Sequence, residues 1–316
     1  MDRCRWGTEI PVSFRELIGL PTRTMLPRLS FLLLFLPTVL PAADSVFAEN
    51  SAWELVSTGH EFAEGMAWDK DGHFYFTDVR SGQLFKVDRD TGMTTLIDGA
   101  TGRANGIAFG PDGRLYGCSS GDKAIYAWDP KTWTKVAVTE GTQSNDIVIL
   151  KDGTIFYTEP GTRLVWRLAA GTFQRELAAK LDWGPNGIAV STDQKTLLVA
   201  EFGSDTIHGF SLGTDSKING PDHAAFKLAV PSDGQGRLDG MLMLADGRLL
   251  SGTFLGAQIV PPVNAAAGSG VRVIIPPPFG RPRCNYVRVS PDGEWMYTAY
   301  AVDVLRRRLR PGFDRP

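Results

Sequence analysis

One motif recurs six times along this chain. A residue with a side-chain oxygen precedes a short apolar run, and an aspartate follows seven positions after the leading residue. The leading residues are Glu64, Asn105, Asn145, Asn186, Asp239 and Asn285. The aspartates are Asp71, Asp112, Asp152, Asp193, Asp246 and Asp292. Successive leading residues lie 41, 40, 41, 53 and 46 positions apart. A period of this size, filled with short strands, is the signature of a β-propeller.

The first unit shows the internal layout. Gly65-Met66-Ala67-Trp68 reads as a short inner strand, and Lys70-Asp71-Gly72 as a turn suited to aspartate and glycine. His73 to Asp78 and Gln83 to Asp88 alternate in character, as half-buried strands do. Thr94 to Ile97 makes the outer strand. The other units run the same way, with Gln194 replacing the usual turn glycine in the fourth. The longer step to Asp239 places an insertion at 215–233, read as a surface loop. The sixth unit ends before its fourth strand, while Trp53-Glu54-Leu55-Val56-Ser57 has no unit of its own. The expectation is therefore an all-β, six-bladed β-propeller over 49–316. Its ring would be closed by Trp53 to Thr58 pairing with Val304 to Leu309, because an open ring leaves unpaired strand edges. The 35 glycines and 20 prolines fit a turn-rich β fold.

Residues 1–48 read as a leader outside that domain. Arg23 and Arg28 precede the apolar run Leu29 to Leu40, and Ala42, Ala43 and Ala48 follow. That order suggests a signal peptide and an exported protein, with Met25 as an alternative start and cleavage after Ala43 or Ala48. The apolar run is shorter than a stable membrane span, which needs roughly 20 residues. A net charge of −2 gives no basic excess for nucleic acid. Three cysteines are too few for a disulfide framework; Cys118 and Cys284 read as small buried hydrophobes. Nothing here fixes an oligomeric state.

In a propeller the leading residues converge at one end of the central channel. Two carboxylates and several amide oxygens there suit a hard divalent cation: calcium first, with magnesium, manganese or zinc as competitors. No histidine holds a leading position, which disfavours nitrogen-ligated zinc. The bland alternative is turn chemistry, since Asn, Asp and Glu before glycine also satisfy backbone donors. The plus-seven aspartates are read that way throughout, and His60 and His208 as packed histidines. Arg306-Arg307-Arg308 reads as a solvated strand end.

Four stretches resemble one known family: Phe62-Ala63-Glu64-Gly65-Met66-Ala67-Trp68-Asp69, Ser144-Asn145-Asp146-Ile147-Val148, Gly184-Pro185-Asn186-Gly187-Ile188-Ala189 and Leu238-Asp239-Gly240-Met241. The family is that of senescence marker protein, gluconolactonase and luciferin-regenerating enzyme, and the resemblance spans nearly all of residues 53–305. It implies a six-bladed propeller with one divalent metal, held by Glu64, Asn186 and Asp239. Asn145 falls on a position that binds substrate or metal; Asn105 and Asn285 are candidates for water-mediated roles. The implied activity is metal-assisted hydrolysis of a small lactone, with Asp239 as the first choice of general base and Asp146 or Glu64 as alternatives. Where family members often carry an arginine that contacts substrate hydroxyls, this chain has Gln143, which lacks arginine's charge and donor fork. Other readings are a related ester or phosphotriester hydrolase, and a propeller that only binds.

Overall fold

The computed structural model describes residues 43–220, 226–229, 237–262, 273–281 and 283–314. The apolar run Leu29 to Leu40, Arg23, Met25, Arg28 and Ala42 lie outside them, as does the leader reading built on them. Among the described residues no helix is long and apolar enough to cross a membrane.

Among the described residues the fold is all-β, with every strand pair antiparallel. Four sheets have four strands, and each takes one sequence unit: 104–140, 147–180, 185–229 and 241–275. The fifth sheet has seven strands, in the order Tyr286–Val289, Trp295–Ala299, Ala301–Arg308, Glu54–Trp68, Phe74–Asp78, Gln83–Val87, Thr94–Asp98. It holds the sixth and first units, joined through Glu54–Trp68. The first half of that strand pairs with the C-terminal strand, Glu54 opposite Arg306 and Leu55 opposite Leu305. Its second half pairs with Phe74–Asp78. The sequence suggested two short strands here. They are continuous, with the register shifting between Thr58 and Ala63 as the chain passes from one unit to the next.

The second strand of each unit explains the apolar runs. Phe74–Asp78 is buried at every position because both faces of its sheet are covered. Phe74 and Phe76 face one way, packing with Tyr286, Tyr297 and Val304 of the sixth unit. Tyr75 faces the other way, against Ile107, Leu115 and Trp128 of the second. The same two-residue period sends Leu197 and Val199 toward the third unit, and Leu198 and Ala200 toward the fifth. Further clusters join the second to the third unit and the fifth to the sixth. Each unit thus shares one core cluster with the unit before it and one with the unit after it.

Two expectations need correction. The stretch 215–233 is not simply an inserted loop, because it contains the fourth strand of its unit, Phe226–Ala229, paired with Thr206–Ser211. Four residues of strand between polar, glycine-bearing flanks give too short an alternation to stand out. The packed domain also begins before residue 49. Ala43–Val46 forms one 3-10 turn, and Phe47 bridges to Leu309. Val46 and Phe47 are buried with Ile275, Leu305, Leu309 and Phe313. Apolar residues of a leader and of a core look alike in sequence.

Smaller readings hold. Cys118 and Cys284 are free and buried. Gln194 takes the left-handed conformation (φ 58°) that glycine takes at equivalent turns. Asp112, Asp152, Asp193, Asp246 and Asp292 each accept the backbone N–H two residues ahead. In the first unit Asp69 does this work instead of Asp71.

Candidate metal centre

The leading residues stand at or just before the inner strands, and the backbone brings them side by side. Gly106 N–H donates to the Asn145 carbonyl (2.9 Å), and Gly240 N–H to the Asn285 carbonyl (3.0 Å). The glycines after the leading residues exist because of this crowding. A Cβ on Gly65 would sit 2.1 Å from the Asn105 carbonyl oxygen, and one on Gly187 would sit 2.2 Å from that of Asp239. Side-chain hydroxyls tighten the same layer: Thr77 donates to the Asn105 carbonyl (2.9 Å) and Thr158 to the Asn186 carbonyl (2.7 Å).

Three of the expected ligands come together. The Asn186 amide nitrogen donates to the Leu238 carbonyl (2.9 Å) and to Asp239 Oδ1 (3.2 Å). Its hydrogens are thereby engaged, which leaves its oxygen to face a cation. The Glu64 carboxyl hydrogen-bonds to Asp239. Both acids are buried. Burial, followed by the charge of Asp239 and the hydrogen bond to it, holds Glu64 well above the usual carboxylate range. Burial also pushes Asp239 up to about 7, against the opposing charge of Arg283. The pair therefore holds a proton more tightly than exposed carboxylates do when no cation is bound.

This arrangement fits a hard cation. Two buried carboxylates in contact are stable only when a proton or a cation neutralises them. Arg283 is a nearby positive group, and its Nε donates to Asn285 Oδ1 (3.0 Å). The Asn285 amide nitrogen is buried without a partner. Among the described residues no three His, Cys, Asp or Glu side chains gather as a metal cluster. His60 is held by Ser57 and lies beside Asp78, and His208 by Glu201 and the Trp183 ring.

The other candidates are placed differently. Asn105 is buried and Asn145 half-buried. Gln143 is exposed, and only its backbone is tied, its N–H donating to Glu159 Oε1 (2.7 Å). Asp78 plays the matching part in the first unit, accepting from Glu61 N (2.9 Å) and Phe62 N (2.8 Å) just ahead of Glu64. Asn285 presents its oxygen to Arg283 rather than to the acids.

Sequence reasoning missed Arg283 and a buried strut. In four units a glycine follows the leading residue; in the third and sixth the residues are Asp146 and Tyr286. Their side chains fill the space their neighbours leave. A Cβ on Gly106 would meet Asp146 Oδ1 at 2.2 Å, and one on Gly240 the Tyr286 ring at 2.1 Å. Tyr286 hydroxyl donates to Asp146 Oδ1 (2.8 Å), joining units 140 residues apart. The departure from the repeat was the available signal.

Comparison with known proteins adds a family to this geometry. Residues 62–297 match the model of the SMP-30/Gluconolactonase/LRE-like region. A gluconolactonase of Zymomonas mobilis is 26% identical over 195 residues, 51% of this chain and 54% of that protein. A lactonase drp35 of Staphylococcus haemolyticus is 26% identical over 200 residues, 57% of this chain and 58% of that protein. The chain thus spans little more than half the length of the curated relatives it matches. Among solved structures, a gluconolactonase of Xanthomonas campestris superposes with a TM-score of 0.72 at 22% identity, covering 85% of this chain and 93% of that one. A calcium-binding protein, regucalcin, of Agrobacterium tumefaciens gives 0.64 at 13% identity, covering 84% and 96%.

Proposed function

The chain belongs to the SMP-30/gluconolactonase/LRE-like family, and from that premise we propose that it is a metal-dependent lactone hydrolase built as a six-bladed β-propeller. The observation that carries the reading is the buried contact of Glu64 with Asp239, with the Asn186 amide beside them. A ring of six blades is supported by the core clusters, which run from each unit to the next and from the sixth back to the first.

Glu64, Asp239 and the Asn186 oxygen are the residues that would hold the cation. Bound there, a divalent cation supplies a Lewis acid to a carbonyl oxygen and makes bound water more acidic. Asp239 takes the proton of the attacking water as its oxygen bonds to the lactone carbonyl carbon. It returns that proton to the ring oxygen as the C–O bond breaks, leaving a hydroxy acid. Asp146 does not serve as this base, because it already accepts from Tyr286, Ile147 N (2.9 Å) and Ile188 N (3.2 Å). Arg283 supplies donors for substrate oxygens beside the acids. The oxygen-only donor set favours calcium, as does the likeness to a calcium-binding regucalcin. The partner is a small lactone, and an exported location is proposed from the leader.

The test is proton release from a panel of sugar and aliphatic lactones by the purified full chain. Calcium, zinc, manganese, magnesium or EDTA is present in turn. Cation-dependent turnover is expected, falling roughly a hundred- to a thousandfold in Asp239→Ala and Glu64→Ala, on the scale of losing an electrostatic catalytic group. Turnover that survives EDTA, or either substitution, overturns the metal reading. A cation-binding protein that opens no lactone overturns the substrate class.

A further inference from the structure

Beyond the leading residues, all six inner strands line one cavity of about 290 Å³. Met66, Ile107, Val148, Ile188, Met243 and Val289 are typical of its wall. Among the described residues its one charged lining residue is Arg288. The guanidinium is fixed in place: Nη1 donates to the Met241 and Val287 carbonyls, Nη2 to the Tyr286 hydroxyl (2.7 Å), and the group lies 4.3 Å from the Tyr286 ring centre. Three of five N–H donors are used. Among the described residues no carboxylate forms an ion pair with it; Asp146 is one hydroxyl away, at the far end of the Tyr286 bond. Arg288, Tyr286 and Asp146 thus form a continuous strut across the middle of the inner strands. On one side are the acids of the candidate metal centre, and on the other an aliphatic chamber with an arginine in its wall.

We propose that this chamber is a second small-molecule site, taking an amphipathic monoanion: a carboxylate on an aliphatic or aromatic body. The two sides of the strut have opposite chemistry. The Glu64–Asp239 side selects cations and repels a bare carboxylate. The Arg288 side offers two unused N–H donors of a group whose planar fork matches a carboxylate. Apolar walls with a single placed polar group are the usual composition of a ligand pocket. The chamber equals roughly ten water volumes of ~30 Å³, enough for a ligand of about ten heavy atoms. Arg288, Val148 and Met243 are half-buried, so the chamber is not sealed.

Calorimetric titration of the full chain with octanoate and with 1-octanol, in EDTA, tests this. Octanoate is expected to bind at one site and at least tenfold more tightly than octanol. Arg288→Met should remove that preference, Arg288→Lys should retain part of it, and Asp239→Ala should leave it intact. Ala108→Phe, which adds bulk to the chamber wall on a strand other than the arginine's, should abolish binding of both. Binding that survives Ala108→Phe, is lost in Asp239→Ala, or does not discriminate octanoate from octanol overturns the proposal. If Arg288→Met does not fold, Ala108→Phe alone decides it.

Discussion

Asp146 and Asp239 are both buried aspartates, yet their surroundings give them different work. Asp146 is surrounded by donors, which makes it a fixed crosslink. Asp239 faces another acid and an amide, so it waits for a proton or a cation. This difference has a pH signature. Glu64 and Asp239 both hold a proton more tightly in the folded than in the unfolded chain. The stability this proton lends is complete below the unfolded carboxylate values near 4 and is lost as pH rises through about 7. In EDTA the melting temperature should therefore fall between about pH 5 and 8. Saturating calcium should flatten that fall, and Asp239→Asn should lessen it without metal, since Glu64 keeps the burial that raises it most. A chelated protein whose melting temperature is level across this range would show that the pair is not desolvated as described. The leading residues were legible in the sequence because they repeat. Arg283 was not, because only the fold brings it near Glu64 and Asp239.

At the level of the strand, the inner elements are set by glycine. Gly187 lets its strand approach the Asp239 backbone, so the residue after one ligand fixes the position of another. Gly187→Ala drives a methyl into a backbone carbonyl, which cannot swing aside. Loss of about 1–3 kcal/mol in thermal denaturation is expected, with at least tenfold weaker cation binding by titration. Gly161→Ala, with no atom within 4 Å of the added methyl, is the control and should change neither. Equal effects from the two would sink the crowding argument. Strand existence was readable from alternation and turn residues. Two things were not: the continuity of Glu54–Trp68, and the short strand Phe226–Ala229. The first depends on partners more than 200 residues away, and the second on a pairing its own composition hardly advertises.

For the whole molecule, the sequence shows six units but not where the packed chain starts. Val46 and Phe47 close the core between the fifth and sixth units. Starting the protein at residue 49 should cost roughly 3–6 kcal/mol, at about 1.5–3 kcal/mol for each buried side chain. A start at residue 44 should cost little, and denaturant titration separates the two. If the leader is removed, mass spectrometry of the mature protein should place the cut after Ala43 and not after Ala48. A mature chain that begins at Glu49 with undiminished stability would refute this. The pairing of Glu54–Trp68 with Ala301–Arg308 has a further consequence, in time rather than space. Among the described strands the first to be synthesised waits for the last, so the sheet that joins the first and sixth units cannot be completed until both are made. A product cut short before residue 301 keeps two bare strand edges, a template for aggregation and a mark for proteolysis. The seam between these two strands thus acts as a check that translation has passed residue 308.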